Sequence, residues 1–321
     1  MNNLGRHVDL FSKLQGWSGD VPEGVVVNFL GVLTAAEFLE LYSPSNTIVT
    51  SMGSRAAASV PGVDDGEPFF EFASLYDAVL SAEGCFTMVE LGGGYASRCV
   101  DAQAALDRYN AMPSKYVVVE AEPVHFEWAK RHMRANGIDP DQHWMINGAV
   151  SDTAEPVLFL VGEGLYYNGI IAAEDALDLC GQIDKLGQTQ SVLRNMMATG
   201  HLGVQIPYSS KAGKHLHDMK YVSARPLSEL LQPLGVVDLM DVDIQGAEIS
   251  VLPPAMRVLN DKVKRLHLGT HGREVHKFMW DMFFENEWVC EYDFPPFSDI
   301  ETDWGNFSTS DGILTFVNTR F

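Results

Sequence analysis

From about residue 70 onward the chain alternates short, continuous apolar runs with helix-length amphipathic segments, and no other feature restricts the fold as strongly. A run that is apolar on both faces reads as a strand buried within a parallel sheet, and parallel neighbours need a crossover long enough to hold a helix. The spacing predicts helix over Phe69–Ser81, strand over Thr87–Leu91, helix over Tyr95–Tyr109, strand over Tyr116–Ala121 and helix over Pro123–Asn136. Pro123 suits a first helical turn, and Asn136-Gly137 is a stop signal. Two further strands are expected over His143–Val150 and Pro156–Val161. After an interruption the rhythm resumes with helix Pro226–Leu234, strand Val236–Asp243, helix Ala247–Leu259, strand Val263–Thr270 and helix Val275–Glu285. The last two runs, Trp288–Phe294 and Ile313–Asn318, are joined only by the loop Pro295–Asp311, so they are expected to pair as an antiparallel hairpin at one sheet edge. The fold class is α/β, a doubly wound, mostly parallel sheet with helices on both faces.

The chain divides into an N-terminal extension, residues 1–70, and a main domain, residues 71–321, interrupted by an insertion at about 162–225. The extension holds one β-rich run, Val25–Leu33, then a helix expected over Thr34–Leu41 and a Pro/Gly/Ser-punctuated stretch from Ser43 to Pro68. It is expected to cover the site or to mediate contacts in a homodimer. The insertion, with a helix-like stretch Ala173–Met197, is too long for a plain loop and is expected to fold as a cap. With 43 acidic against 22 basic residues, the net charge of −21 argues against nucleic acid or an anionic membrane as the main partner and suits a cationic ligand. No apolar stretch is long enough to span a bilayer, the start lacks a secretory h-region, and the cysteines form no CxxC; the expectation is a cytoplasmic protein with reduced thiols.

In a doubly wound sheet, ligands bind at the carboxyl ends of the strands. There Glu90 ends the first strand of the main domain, and Gly92-Gly93-Gly94 lets a ligand approach the backbone. Glu120 ends the next strand, where a carboxylate accepts hydrogen bonds from two ribose hydroxyls. Ser97 stands where a pyrophosphate-binding turn would have its third glycine, and Glu90 and Glu122 would repel a pyrophosphate. A nucleoside bearing a cation and no phosphate fits better, and S-adenosylmethionine is such a molecule.

A second acidic tip ends the strand Val236–Asp243. Period 2 places Asp241 and Asp243 on one side, Gly246 thins the following turn, and Glu248 opens the next helix. The following strand carries His267 and His271. Only His271, at the carboxyl end, can reach a site shared with Asp243, whereas His267 reads as structural. His271 oriented by Asp243 would make a general base for an alcohol nucleophile; Asp243, Glu248 and His271 holding a divalent ion is the alternative, and spacing leaves both open.

Three stretches together resemble the FkbM-type S-adenosylmethionine-dependent methyltransferases: Val89-Glu90-Leu91-Gly92-Gly93-Gly94-Tyr95, Val119-Glu120-Ala121-Glu122-Pro123 with Asn136-Gly137, and Asp243-Ile244-Gln245-Gly246-Ala247-Glu248. Gln245 replaces the glutamate usual in the last signature, and Ile146–Ser151, with Gly148 and Ala149, looks like the adenine-side strand. The resemblance implies a Rossmann-like class I methyltransferase fold, a seven-stranded sheet whose last strand is antiparallel. It implies a cosubstrate site built from Glu90, Gly92, Gly93, Gly94, Tyr95, Glu120, Ala121, Gly148, Ala149 and Asp241, and O-methylation of a sugar or natural-product small molecule. Two other functions compete: a nicotinamide-dependent oxidoreductase on the same kind of sheet, and a non-catalytic cosubstrate-binding scaffold, for which Gln245 is the only hint.

Overall fold

The structure, a computed structural model, describes residues 2–39, 48–49, 55–161, 206–210 and 213–321. Its centre is a seven-stranded sheet. The strands are β1 (Phe86–Leu91), β2 (Ser114–Glu120), β3 (Trp144–Asn147), β4 (Leu239–Val242), β5 (Arg265–Thr270), β6 (Trp288–Phe294) and β7 (Gly312–Asn318). Their order is β6-β7-β5-β4-β1-β2-β3. β1 pairs in parallel with β2 and β4, β2 with β3, and β4 with β5, whereas β7 runs antiparallel to both of its neighbours. This is the Rossmann-like sheet that the resemblance implies. β1 is buried at every position, as a central strand covered on both faces must be.

Helices cover both faces. On one side α2 (Glu67–Ser81), α3 (Ser97–Tyr109) and α4 (Pro123–Ala135) pack over β1 and β2 through Phe70, Leu75, Val79, Leu106, Ala129 and Met133. On the other, α5 (Leu227–Leu231), α6 (Glu248–Lys262) and α7 (Arg273–Glu285) pack over β4, β5 and β7 through Leu230, Leu252, Leu259, Met279 and Phe283. The N-terminal helix α1 (Asn2–Phe11) belongs to the first layer, with Phe11 against Phe69, Phe72 and Tyr76. Its His7 and Arg6 join Asp77, Arg265, Glu291 and Tyr292 in a charged network over β5 and β6.

β6 and β7 pair antiparallel at one edge of the sheet, as expected, with β6 outermost and β7 next to β5. The loop between them carries its own hairpin, Ser298–Thr302 with Gly305–Thr309. The run His143–Val150 is two strands. It breaks at Gly148, where a Cβ would lie 2.8 Å from the Ser223 carbonyl, and Ala149–Ser151 then pairs with Ala224–Pro226 outside the main sheet. That pairing also takes Pro226 from the helix expected over Pro226–Leu234, which spans Leu227–Leu231.

The strand Val157–Val161 is not part of the central sheet either. It pairs antiparallel with Gly213–Val222, which pairs in turn with Ile206–Ser210. The last two of these strands lie within the expected cap, whose helix-like stretch Ala173–Met197 lies outside the described residues. Finally, Val25–Leu33 is not one run. Strand Val25–Asn28 turns back into Leu33–Ala35 because the Asn28 side chain accepts from the backbone of Leu30 and Val32, and Gly31 takes a φ of +83°. A short 3₁₀ turn, Ala36–Leu39, stands where a helix over Thr34–Leu41 is predicted. Among the described residues, no helix is long and apolar enough to cross a membrane.

Candidate active site

A cavity of about 530 Å³ opens at the carboxyl ends of β1, β2 and β4. That size lies within the range of sites for cofactors and drug-sized ligands. The N-terminal extension supplies part of its wall through Val26, Asn28, Phe29, Val32 and Thr34.

The floor is the turn after β1. Gly92 and Gly93 both donate their N–H groups to the Val119 carbonyl at 3.0 Å, which draws the turn against the tip of β2. Gly92 has φ +77°, and a Cβ there would lie 1.8 Å from the Asp243 carbonyl, where the tips of β1 and β4 meet. No other residue fits that crossing. Gly94 and Ala96 are also left-handed, and Ala96 leads into the first turn of α3.

Glu120 is buried at the end of β2. One oxygen accepts from the Gly94 N–H at 2.7 Å and the other from the Glu122 N–H at 2.7 Å. Burial pushes its carboxyl up to about 8, against the backbone donors that favour the charge. Ala121, His125, Gly148, Ala149 and Phe159 line the cavity next to it. Glu90 lines it too, but its oxygens accept from the N–H groups of Arg98 and Cys99 at 3.2 and 3.0 Å, so it holds the start of α3. Burial pushes Glu90 up to about 7. The Tyr95 ring lies against Phe38, and its carbonyl lies 3.0 Å from His132 Nδ1.

At the tip of β4, Asp241 and Asp243 both line the cavity. Burial raises Asp241 well above the usual carboxylate range. Asp243 is 56 % exposed and accepts from Gln245 Nε2 at 2.8 Å. His271, just beyond β5, lies between two carboxylates: Nδ1 is 3.1 Å from Glu248 Oε1 and Nε2 is 3.2 Å from Asp243 Oδ1. Burial opposes its charge, but Asp243 and Glu248 overcome this and lift the imidazole to about 10. His267 is instead buried beside Thr315 and pushed down to about 3 by burial.

This geometry brings Asp243, Glu248 and His271 together without forming a common metal shell. The two imidazole nitrogens point to different carboxylates on opposite sides of the ring, and His271 holds a proton that a metal ligand must give up. Among the described residues, the His/Cys/Asp/Glu trio that does converge is His7, Asp77 and Glu291. There Arg6 and Arg265 already neutralise the carboxylates.

Several lining residues escape a reading of strand ends. Glu67 and Glu71 project from α2, Arg98 and Asp101 from α3, and Asp311 from the loop before β7. Burial pushes Asp101 up to about 6. Two carboxylates four residues apart on the apolar first half of this helix are the sequence signal that could have pointed to Glu67 and Glu71.

The fold and the site together define an α/β protein with an acidic cavity at the carboxyl ends of its parallel strands. Comparison with known proteins narrows the class. No family model matches the chain. A putative methyltransferase of Jannaschia sp. (strain CCS1) is 24 % identical over 273 residues, 85 % of each chain. Among solved structures, the SAM-dependent methyltransferase from Agrobacterium tumefaciens aligns over 82 % of this chain and 65 % of that one, with TM-score 0.40 and 11 % identity. The C-terminal domain of precorrin-6Y C5,15-methyltransferase from Rhodobacter capsulatus aligns over 80 % and 93 %, with TM-score 0.36 and 10 % identity. The chain is thus similar to methyltransferases, while the fold rests on its own strand order.

Proposed function

We propose that the chain is an S-adenosylmethionine-dependent methyltransferase that acts on a hydroxyl of a sugar or natural-product small molecule. The observation that carries this reading is Glu120: a buried carboxylate at the tip of β2, set against the glycine turn and opening on a cavity whose other walls are acidic. Such a wall suits a ribose and a cationic tail and disfavours the pyrophosphate of a nicotinamide dinucleotide. The likeness to the putative methyltransferase of Jannaschia supports the same class.

The bound cosubstrate supplies an electrophilic methyl group on a sulfonium. The residues of this chain hold it and prepare the acceptor. Glu120 takes the ribose hydroxyls, and the Gly92–Gly94 turn lets the nucleoside lie against the backbone. Asp243, which faces the cavity, takes the proton from the acceptor hydroxyl. His271, held protonated by Glu248 and Asp243, positions that carboxylate and is not itself the base in this arrangement. The acceptor lies near Asp243, Gln245 and Asp311, and alignment of its oxygen with the methyl group supplies much of the acceleration.

The test is transfer of labelled methyl to a mixture of sugars and natural-product alcohols. Wild-type protein is expected to transfer, and Asp243→Asn to lose about 10²–10⁴ of the rate. Stabilisation by NAD(P) and none by S-adenosylhomocysteine in thermal melts would favour the oxidoreductase. Binding of S-adenosylhomocysteine without any transfer would favour the scaffold.

A further inference from the structure

Gln245 lines the cavity, half-buried, and its backbone is left-handed with φ +53°. That conformation strains a residue with a β-carbon, and glycine or asparagine would fill it more readily. The turn from β4 to α6 imposes it. The Asp243 N–H donates to the Leu91 carbonyl at 3.0 Å, and the Gly246 N–H donates to Glu248 Oε1 at 3.2 Å, so the chain is pinned on both sides of Gln245.

The strained turn aims the amide. Gln245 Nε2 donates to Asp243 Oδ1 at 2.8 Å, and His271 Nε2 lies 3.2 Å from the same oxygen. Both restraints therefore fall on Oδ1, and among the described residues Oδ2 takes no hydrogen bond. Charge matters as much as reach. Asp243 acts on Glu67 and Glu71 of α2, on Asp241 of its own strand, on His267 and His271 of β5 and its end, and on Asp311 before β7, with Glu248 of α6 on the far side of His271. An amide presents its NH2 to a carboxylate without adding charge. A glutamate at 245 would set one more carboxylate against Oδ1, and two carboxylates in contact hold a proton between them.

We infer that Gln245 is a positioning residue, which fixes Asp243 by Oδ1 and so presents Oδ2, ionised, to the acceptor hydroxyl. This rests on the proposed function. The hydroxyl proton passes to Oδ2, and the electron pair it leaves on the acceptor oxygen forms the bond to the methyl carbon. On this reading Gln245 belongs to a working site, not to a non-catalytic scaffold.

Two variants of the full chain test it. Gln245→Gly removes the amide and relieves the strained backbone. It is expected to melt no lower than wild type, to bind S-adenosylhomocysteine within about twofold in calorimetry, and to transfer methyl to the alcohol mixture about 10- to 100-fold more slowly. Gln245→Glu keeps the reach and adds the charge. It is expected to move the Asp243 carboxyl titration, followed by NMR and assigned by its absence from Asp243→Asn, up by about one pH unit or more, and the acidic limb of the pH–rate profile with it. Wild-type transfer by Gln245→Gly, or an Asp243 titration that ignores Gln245→Glu, overturns the positioning role and leaves the methyltransferase reading standing. Failure of the wild-type protein to bind S-adenosylhomocysteine removes both. Should Gln245→Gly fail to fold, or no alcohol in the mixture accept methyl, the carboxyl titration decides alone.

Discussion

His271 offers the sharpest test of how the site is charged. An ordinary histidine titrates near 6.5, whereas this one is lifted to about 10 by Asp243 and Glu248 against the effect of burial. Because the folded-state value lies above the unfolded one, the proton stabilises the fold. The contribution is full below pH 6.5 and is lost as pH rises through about 10. At about 1.4 kcal/mol per pKa unit, the whole rise corresponds to about 5 kcal/mol. Asp243 is 56 % exposed and its share is screened by water, so about 2–3 kcal/mol is expected. Urea unfolding of wild type and His271→Gln from pH 6 to 9.5 measures it. The gap between the two proteins should be about 2–3 kcal/mol at pH 6 and shrink steadily as pH rises from about 6.5 towards 9.5. In parallel, the His271 imidazole should keep its protonated chemical shift to about pH 9 in NMR titration. Titration between pH 6 and 7 would refute the reasoning, because the ring would then be free to act as the base.

Other predictions follow from the same geometry. Glu120→Gln should weaken S-adenosylhomocysteine by about 10- to 30-fold in calorimetry. Since the Glu120 carboxyl titrates near 8, wild-type affinity should rise between pH 6 and 8 and the variant's should not; affinity that ignores both changes would remove Glu120 from the site. Gly92→Ala places a Cβ 1.8 Å from the Asp243 carbonyl at φ +77°, so it should cost about 2–4 kcal/mol, and an unchanged melting temperature would contradict the crossing described. Asp77→Ala leaves Arg6, His7 and Arg265 without their shared carboxylate and should cost about 3–5 kcal/mol in urea; a loss below about 1 kcal/mol would show that Glu291 alone suffices.

The strands of the sheet were legible because each is apolar on both faces, and the site residues at their tips could be read from the same boundaries. The glycine turn, Glu120, Asp243, Glu248 and His271 are placed by local sequence alone. Pairing order is not local. An antiparallel β6–β7 pair at the edge satisfies the pattern equally well with either strand outermost, and only the contact of β7 with β5 decides. Glu90 shows a subtler limit. Its position at the end of β1 was readable, but not that the N–H groups of Arg98 and Cys99 take its oxygens. Arg98, Glu67 and Glu71 reach the cavity from helix faces, where periodicity distinguishes buried from exposed but not ligand-facing from solvent-facing. Asn28 carries no such signal, because a turn inside an apolar run depends on one side chain.

The position of β7 bears on how the protein is made. Of the seven strands it is synthesised last, yet it fills a slot between two strands already made. Until residues 312–318 leave the ribosome, β5 keeps one bare flank and β6 has no neighbour in the sheet. A nascent chain stalled before that point would expose a gap of one strand's width to any passing extended peptide, so early termination should yield aggregates rather than a slightly shorter folded chain.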